Sequence, residues 1–186
     1  MFNLKPPHGI FVHASGFLKL ASTLSCQPTH PTFDPLCSAA IVANIAFAIE
    51  LYLKCLIQLE TGQLIKNEHD LHKLFAKLNE ETQQEIETQF NSLQKNPQYD
   101  LSNAPEEIKK AAASAPKNLR EALKVGGNAF VEWRYLYEST GYGNHFSLFP
   151  LPTILQTAIL KKKPEWGAFQ IRAVKVAGVQ STSPAQ

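Results

Sequence analysis

The stretch SAAIVANIAFAIELYLKCLIQLE, residues 38–60, decides the fold. It is long enough for an extended helix, and its apolar run is interrupted by Asn44, Glu50 and Lys54. A helix that is apolar on almost every side either lies at the centre of a bundle or crosses a membrane. Because charges in the middle of a span cost roughly 2.5–3.5 kcal/mol each on insertion scales, the stretch predicts the central helix of a soluble bundle, with no membrane association.

Helical patterns lie on both sides of this central segment. Apolar spacing and helix-start signals predict further helices within residues 9–24, 69–78, 79–95, 102–114, 116–140 and 152–163. Gly62 suits the left-handed stop after the central helix, and Gly126-Gly127 either kinks or splits the helix that contains it. With little or no sheet, the chain is predicted to be all-α.

Length and composition favour one domain in a reducing compartment. The chain has 186 residues and a formal net charge of +2, which neither requires nor excludes a nucleic-acid partner. Its three cysteines have no CxxC spacing, which argues against a disulfide framework and a zinc knuckle. No basic segment followed by an apolar run begins the chain, so we expect a cytoplasmic protein. The domain is predicted over residues 1–164, followed by an arm over residues 165–186 whose end is disordered.

The segment NEHDLHKLFAKL, residues 67–78, places His69, Asp70 and His72 within four positions. Two histidines three residues apart on a helix are able to bind a metal, but such a site needs a third ligand and supporting hydrogen bonds. Asp70 or Asn67 is equally suited to cap a helix start. The spacing therefore favours a capped helix over a metal site, and no metal ligand is predicted.

Glu50 and Lys54 are four residues apart on the most apolar helix. Two interpretations are about equally supported. Either a narrow stripe of the helix reaches solvent and the pair lies there, or the pair lines a groove shared with another helix, since buried charges must be paired or functional.

The segment FVEWRYLYEST, residues 130–140, contains Arg134 in a chain with only three arginines. Arg134 and Glu138 have the spacing of a surface ion pair on a helix. Leu136 or Tyr137 then faces the core. The alternative is that Arg134 binds phosphate, for which a guanidinium is well suited. His145, in a glycine-containing loop, either approaches Arg134 or is exposed. The lysines at residues 161–163 suit a solvated helix end, and a phosphate-binding patch is the alternative.

The order AIELYLKCLI, a glycine turn, HDLHKLFAKL and the later FVEWRYLYE resembles the HEPN superfamily. The likeness is concentrated in residues 41–78. The resemblance implies an up-and-down bundle of four to five helices, here with an extra C-terminal helix and tail, that often forms homodimers. Many members are metal-independent endoribonucleases in toxin–antitoxin, CRISPR-linked or phage-defence systems. Others are inactive binding partners, for example beside small nucleotidyltransferases.

The catalytic HEPN members carry a histidine four to six residues after an arginine, and this chain does not. No histidine lies at that distance after Arg120, Arg134 or Arg172, and His145 follows Arg134 by eleven positions. We therefore expect a protein that binds RNA, a nucleotide or a protein partner such as a nucleotidyltransferase or antitoxin, without standard ribonuclease activity.

The alternative expectation is a metal-independent ribonuclease toxin with a rearranged site. RNA cleavage needs a base for the 2′-hydroxyl proton and a cation for the charge on phosphorus. His145 or His69 would be the base and Arg134 the cation. The candidate catalytic residues are Arg134, Glu138 and His145, the candidate ligand-binding residues are Glu50, Lys54, His69 and Tyr137, and no cofactor is expected.

Overall fold

A computed structural model describes residues 6–25, 35–94, 115–134 and 146–167, and within these ranges the chain is helical with no strand. The predicted all-α class is confirmed. The described elements are α1 (His8–Ser25), α2 (Pro35–Thr61), α3 (Leu71–Phe75), α4 (Glu80–Gln94), α5 (Leu119–Val125), α6 (Ala129–Arg134), α7 (Leu151–Lys162) and a 3-10 helix (Pro164–Trp166).

Helix α2 is the centre of the molecule. It is in contact with α1 along much of its length and also with α3, α6 and α7. Because neighbours cover several of its sides, its side chains are buried from Ile41 to Ile57 with few exceptions. The apolar composition of α2 is thus explained by its central position in the bundle.

Cys37–Thr61 is long and apolar enough to cross a membrane, and most of it is buried inside the protein. A core helix of a soluble protein meets the same criterion of length and composition. The helix therefore does not establish where the protein is located, and the cytoplasmic assignment stays a prediction.

The end of α2 and the start of α3 fix the two ends of the segment that contains His69. Gly62 has a φ of 74°, and its N–H donates to the Gln58 carbonyl at 3.0 Å, so the predicted left-handed stop is confirmed. Asp70 then caps α3, accepting hydrogen bonds from the N–H groups of His72 and Lys73. The sequence thus correctly predicts both the stop of α2 and the capped start of α3.

Helix α3 is shorter than its apolar spacing predicts. It ends at Phe75, and residues 76–78 form a turn. The Asn79 side chain then caps α4 by accepting from Thr82 N–H at 2.8 Å, and the Asn79 N–H donates to Glu60 at 2.9 Å. These two bonds redirect the chain into α4, while Leu78 is still buried as the spacing predicts.

The glycine pair splits the next helical segment into α5 and α6, one of the two predicted outcomes. Asn118 caps α5 by accepting from Glu121 N–H at 2.9 Å. The Gly127 carbonyl at the turn accepts from Leu71 N–H at 3.0 Å. The turn between α5 and α6 therefore contacts the beginning of α3.

The C-terminal part of the described chain returns to the N-terminal helix. Trp166, two residues beyond the predicted domain boundary, is buried, stacks on His8 with ring centroids 4.8 Å apart and lies 5.4 Å from the Phe11 ring. The predicted helix within residues 102–114 lies outside the described residues, as does nearly all of the predicted C-terminal arm.

Candidate functional site

Glu50 and Lys54 form a buried ion pair on α2. The Lys54 ammonium donates to Glu50 Oε1 at 2.7 Å, and the two residues are 2% and 8% exposed. The interpretation that placed this pair on a solvent-exposed stripe is wrong, because neighbouring elements cover this side of α2. The pair instead lies beneath the segment that leads into α3.

His69 approaches the same carboxylate from that segment. Its Nδ1 lies 3.0 Å from Glu50 Oε1, and its side chain is 55% exposed while that of Glu50 is 2% exposed. One oxygen of Glu50 therefore meets both Lys54 and His69. The structure brings together three of the predicted ligand-binding residues, from positions 19 residues apart in sequence.

The charges at the site constrain the state of the imidazole. An ionised carboxylate accepts hydrogen bonds and donates none, so Nδ1 of His69 carries the proton in this contact. In the neutral ring, Nε2 is then an acceptor. The second oxygen of Glu50, Oε2, is buried and has no hydrogen-bond partner among the described residues. The arrangement presents a half-exposed imidazole over a buried acidic and basic pair.

The backbone on both sides of His69 is held by several hydrogen bonds. Glu68 Oε1 accepts from the N–H groups of His69 and Asp70, each at 3.1 Å. Asp70 caps α3, and Leu71 N–H donates to the Gly127 carbonyl. The position of His69 is therefore set by bonds to its own segment and to the α5–α6 turn.

The cluster of His69, Asp70 and His72 is a helix start. Asp70 Oδ1 accepts from His72 N–H at 2.9 Å and from Lys73 N–H at 3.1 Å. Within the described ranges, no group of three histidine, cysteine or acidic side chains is placed to hold a metal ion. The aspartate in this cluster acts as a cap.

Helix α6 packs against α2. Phe130 stacks on Phe47 with centroids 4.6 Å apart, and Phe47 is about one helical turn before Glu50. The backbone of Arg134 is about one turn beyond Phe130. The side chain of Arg134 lies outside the described residues.

The other predicted residues of this region, Tyr137, Glu138 and His145, lie wholly outside the described residues. Their roles, and that of Arg134, stay predictions.

Lys161 and Lys162, at the end of α7, form ion pairs with other helices. Lys161 pairs with Glu85 at 3.0 Å, and Lys162 pairs with Glu60 at 3.2 Å. These contacts join the end of α7 to α4 and α2, and they weaken the alternative of a phosphate-binding patch at residues 161–163.

Arg120 has a similar connecting role. Its guanidinium pairs with Glu87 at 2.6 Å and lies 5.9 Å from the centre of the Phe75 ring. Arg120 therefore connects α5 with α4 and α3, and we assign it no binding role.

A buried polar network was not predicted from the sequence. The Tyr52 hydroxyl lies 3.0 Å from Ser15 Oγ and accepts from Gln156 Nε2 at 2.9 Å. Burial raises the pKa of Tyr52. Because the three residues come from α2, α1 and α7, no local spacing in the sequence relates them. The network connects three helices in the interior.

No family model, curated protein or solved structure matches this chain. The HEPN resemblance of residues 41–78 therefore stays a prediction.

Proposed function

We propose that this chain is a HEPN-like helical domain that binds single-stranded RNA or a nucleotide at His69, without standard ribonuclease activity. The observation that supports the proposal is the half-exposed His69 side chain, whose Nδ1 is bonded to the buried carboxylate of Glu50. A toxin–antitoxin or phage-defence setting, with the protein as a homodimer or beside a nucleotidyltransferase, belongs to the same proposal.

The chemistry of a fixed imidazole suits this ligand class. Unpaired RNA bases stack on aromatic side chains including histidine, and their edges form hydrogen bonds with nearby polar groups. A ring held through Nδ1 loses little rotational freedom on binding, which lowers the entropic cost of association.

Binding of a fluorescent single-stranded RNA, measured by anisotropy at fixed ionic strength, tests the proposal. We expect His69→Ala to weaken binding about tenfold or more, because a stacking contact contributes about 1–3 kcal/mol. His72→Ala is the matched control, since His72 lies three residues away and its side chain forms no hydrogen bond or ion pair with Glu50 among the described residues. We expect it to change affinity less than about twofold. Absence of RNA and nucleotide binding by the wild-type chain would contradict the proposal.

The contact between Glu50 and His69 also favours a second candidate, a metal-independent endoribonuclease. In this scheme the Nε2 of His69 takes the proton of the 2′-hydroxyl, whose oxygen attacks the adjacent phosphorus. The bond to the 5′-oxygen breaks and that oxygen takes a proton from water, so the products are a 2′,3′-cyclic phosphate and a 5′-hydroxyl. Glu50 orients the ring and stabilises its protonated form, and Arg134 supplies the cation.

RNA cleavage in the presence of a chelator separates the two candidates. The nuclease requires cleavage that is lost in His69→Ala and retained in His72→Ala, with Arg134→Ala and His145→Ala testing the other residues. Circular dichroism is the control for folding of each variant. If the wild-type protein binds RNA but leaves it intact, the binding function stands and the nuclease is excluded.

A further inference from the structure

We infer that Gly127, in the turn between α5 and α6, is a positioning residue for His69. The inference rests on the proposed function in one respect, that His69 contacts the RNA or nucleotide. Gly127 itself has no part in binding. It acts through its contacts with Asp70 and Leu71, the two residues that follow His69 in the chain.

The α5–α6 turn contacts the start of α3 at two points. The Gly127 carbonyl accepts from Leu71 N–H at 3.0 Å. On the same residue, a Cβ atom would lie 3.1 Å from Asp70 Oδ1, closer than most Cβ atoms approach another atom. An alanine here would therefore require Asp70 or the turn to move by a few tenths of an ångström.

Asp70 has little freedom to move away from an added methyl group. Its Oδ1 accepts from both His72 N–H and Lys73 N–H, at 2.9 and 3.1 Å, so rotation of the side chain would remove the cap of α3. The displacement would instead pass into the backbone of residues 69–71. Since His69 directly precedes Asp70, its Nδ1 would shift from Glu50 Oε1, now 3.0 Å away.

Gly126 provides a matched comparison in the same turn. A Cβ at Gly126 would lie 3.1 Å from Leu148 Cδ1 and 3.2 Å from the Ala122 carbonyl, and at Gly127 the corresponding carbonyl contact, with Leu123, is 3.1 Å. The two glycines are thus equally crowded. The difference is that Gly126 faces an apolar side chain and Gly127 faces the residue after His69.

The test compares Gly127→Ala with Gly126→Ala by two measurements. The first is the imidazole signal of His69 in ¹H–¹⁵N NMR spectra, assigned with His69→Ala, which reports the contact with Glu50 without any ligand. The second is affinity for the single-stranded RNA. We expect Gly127→Ala to shift the His69 signal and weaken RNA binding about fivefold or more, as for one lost hydrogen bond. Gly126→Ala should leave both within error of the wild type.

A second substitution tests whether Asp70 carries the effect. Serine also caps helices and its side chain is one atom shorter, so Gly127→Ala combined with Asp70→Ser should restore the His69 signal. If Gly127→Ala alone does not fold, recovery of folding in the double variant supports the contact with Asp70, and no recovery overturns it.

Two further outcomes keep the positioning role and the binding function separable. An unchanged His69 signal in Gly127→Ala, or equal shifts in both glycine variants, overturns the positioning role. A shifted signal together with RNA affinity that is insensitive even to His69→Ala supports the positioning role and overturns the proposed function.

Discussion

At the scale of single residues, Glu50 and Lys54 show how two charges are accommodated in an apolar helix. Removing charges from water is costly, and a buried pair recovers this cost only with close contact and further hydrogen bonds. Lys54 lies 2.7 Å from Glu50 Oε1, and His69 adds a second contact to the same oxygen. Removing one partner therefore leaves a buried charge with reduced compensation.

We expect Lys54→Met to lower the free energy of unfolding by about 3 kcal/mol or more. The double variant Glu50→Leu/Lys54→Met should be closer to the wild type than either single variant, because it leaves no unpaired charge. Urea unfolding of all four proteins gives the coupling energy. Lys161→Met removes an exposed pair and should cost less than about 1 kcal/mol. Equal costs for Lys54→Met and Lys161→Met would contradict the role given to burial.

Cys55 makes the free energy of unfolding depend on pH in the alkaline range. Burial raises the pKa of its thiol from the ordinary 9.0 to about 12. Above pH 9 the thiol of the unfolded chain ionises while that of the folded chain stays protonated, so the folded state binds more protons. Stability should therefore fall between about pH 9 and pH 12, and burial of Tyr52, whose pKa is also raised, adds to the fall above pH 10.

Urea midpoints at pH 8 and pH 10.5 measure this effect. We expect Cys55→Ala to be less stable than the wild type at pH 8, because the substitution leaves a cavity. The loss of stability on going to pH 10.5 should be smaller in the variant, since the ionising thiol is gone. An equal loss in both proteins would show that Cys55 does not carry the effect.

At the scale of helices, Glu60 connects the end of α2 with two later elements. Its Oε2 accepts from Asn79 N–H at 2.9 Å, and its Oε1 accepts from the Thr82 hydroxyl at 2.5 Å. The same Oε1 pairs with Lys162 at the end of α7. One carboxylate thus fixes the start of α4 and the end of α7.

Glu60→Ala should destabilise the protein by about 2 kcal/mol or more, because hydrogen bonds to a charged group each contribute about 1.5–3 kcal/mol. Relative to the wild type, the rate of amide hydrogen exchange should increase more at residues 79–82 than in the core of α2. Glu80→Ala, which removes an exposed acid from the first turn of α4, should cost less than about 1 kcal/mol. Unchanged exchange at residues 79–82 in Glu60→Ala would exclude this connecting role.

Helical spacing predicts which face of an element is buried more reliably than where the element ends. The apolar residues of the α3 region are buried as their spacing predicts, whether they belong to the helix or, like Leu78, to the turn after it. The end of α3 depends instead on Asn79 and its bond to Glu60, 19 residues earlier. Gly62 could be predicted because a positive φ is a local property that favours glycine.

At the scale of the whole molecule, Trp166 packs the end of the described chain against its beginning. Its ring contacts His8 and Phe11 on α1, while α1 itself packs along α2. The central helix is therefore enclosed partly by segments from opposite ends of the described chain.

Trp166→Ala should lower the free energy of unfolding by about 3–5 kcal/mol, the usual cost of removing a large aromatic side chain from a core. Trp166→Phe should cost less because a ring still fills part of the space. Thermal unfolding measures both, and a chain ending at residue 163 should be destabilised at least as much as Trp166→Ala. A shortened chain as stable as the wild type would show that the contact with α1 is dispensable.

The sequence by itself determined the all-α class, the central position of α2, the stop at Gly62 and a capped start of α3 with Asp70 as one of two candidate caps. Each of these follows from residues that are close in sequence, through helical periodicity, backbone preference or a side chain bonding to its own backbone. Even the split at Gly126-Gly127 was one of two local outcomes.

Only the tertiary structure decided that Glu50, Lys54 and His69 share one site and that Gly127 lies against Asp70. The sequence left the environment of Glu50 and Lys54 open, because a spacing of four residues is the same on an exposed helix and on a buried one. Which side chains meet across elements depends on how α3 and the α5–α6 turn pack on α2. That packing minimises exposed apolar surface over the whole chain, so it is not encoded in any short stretch.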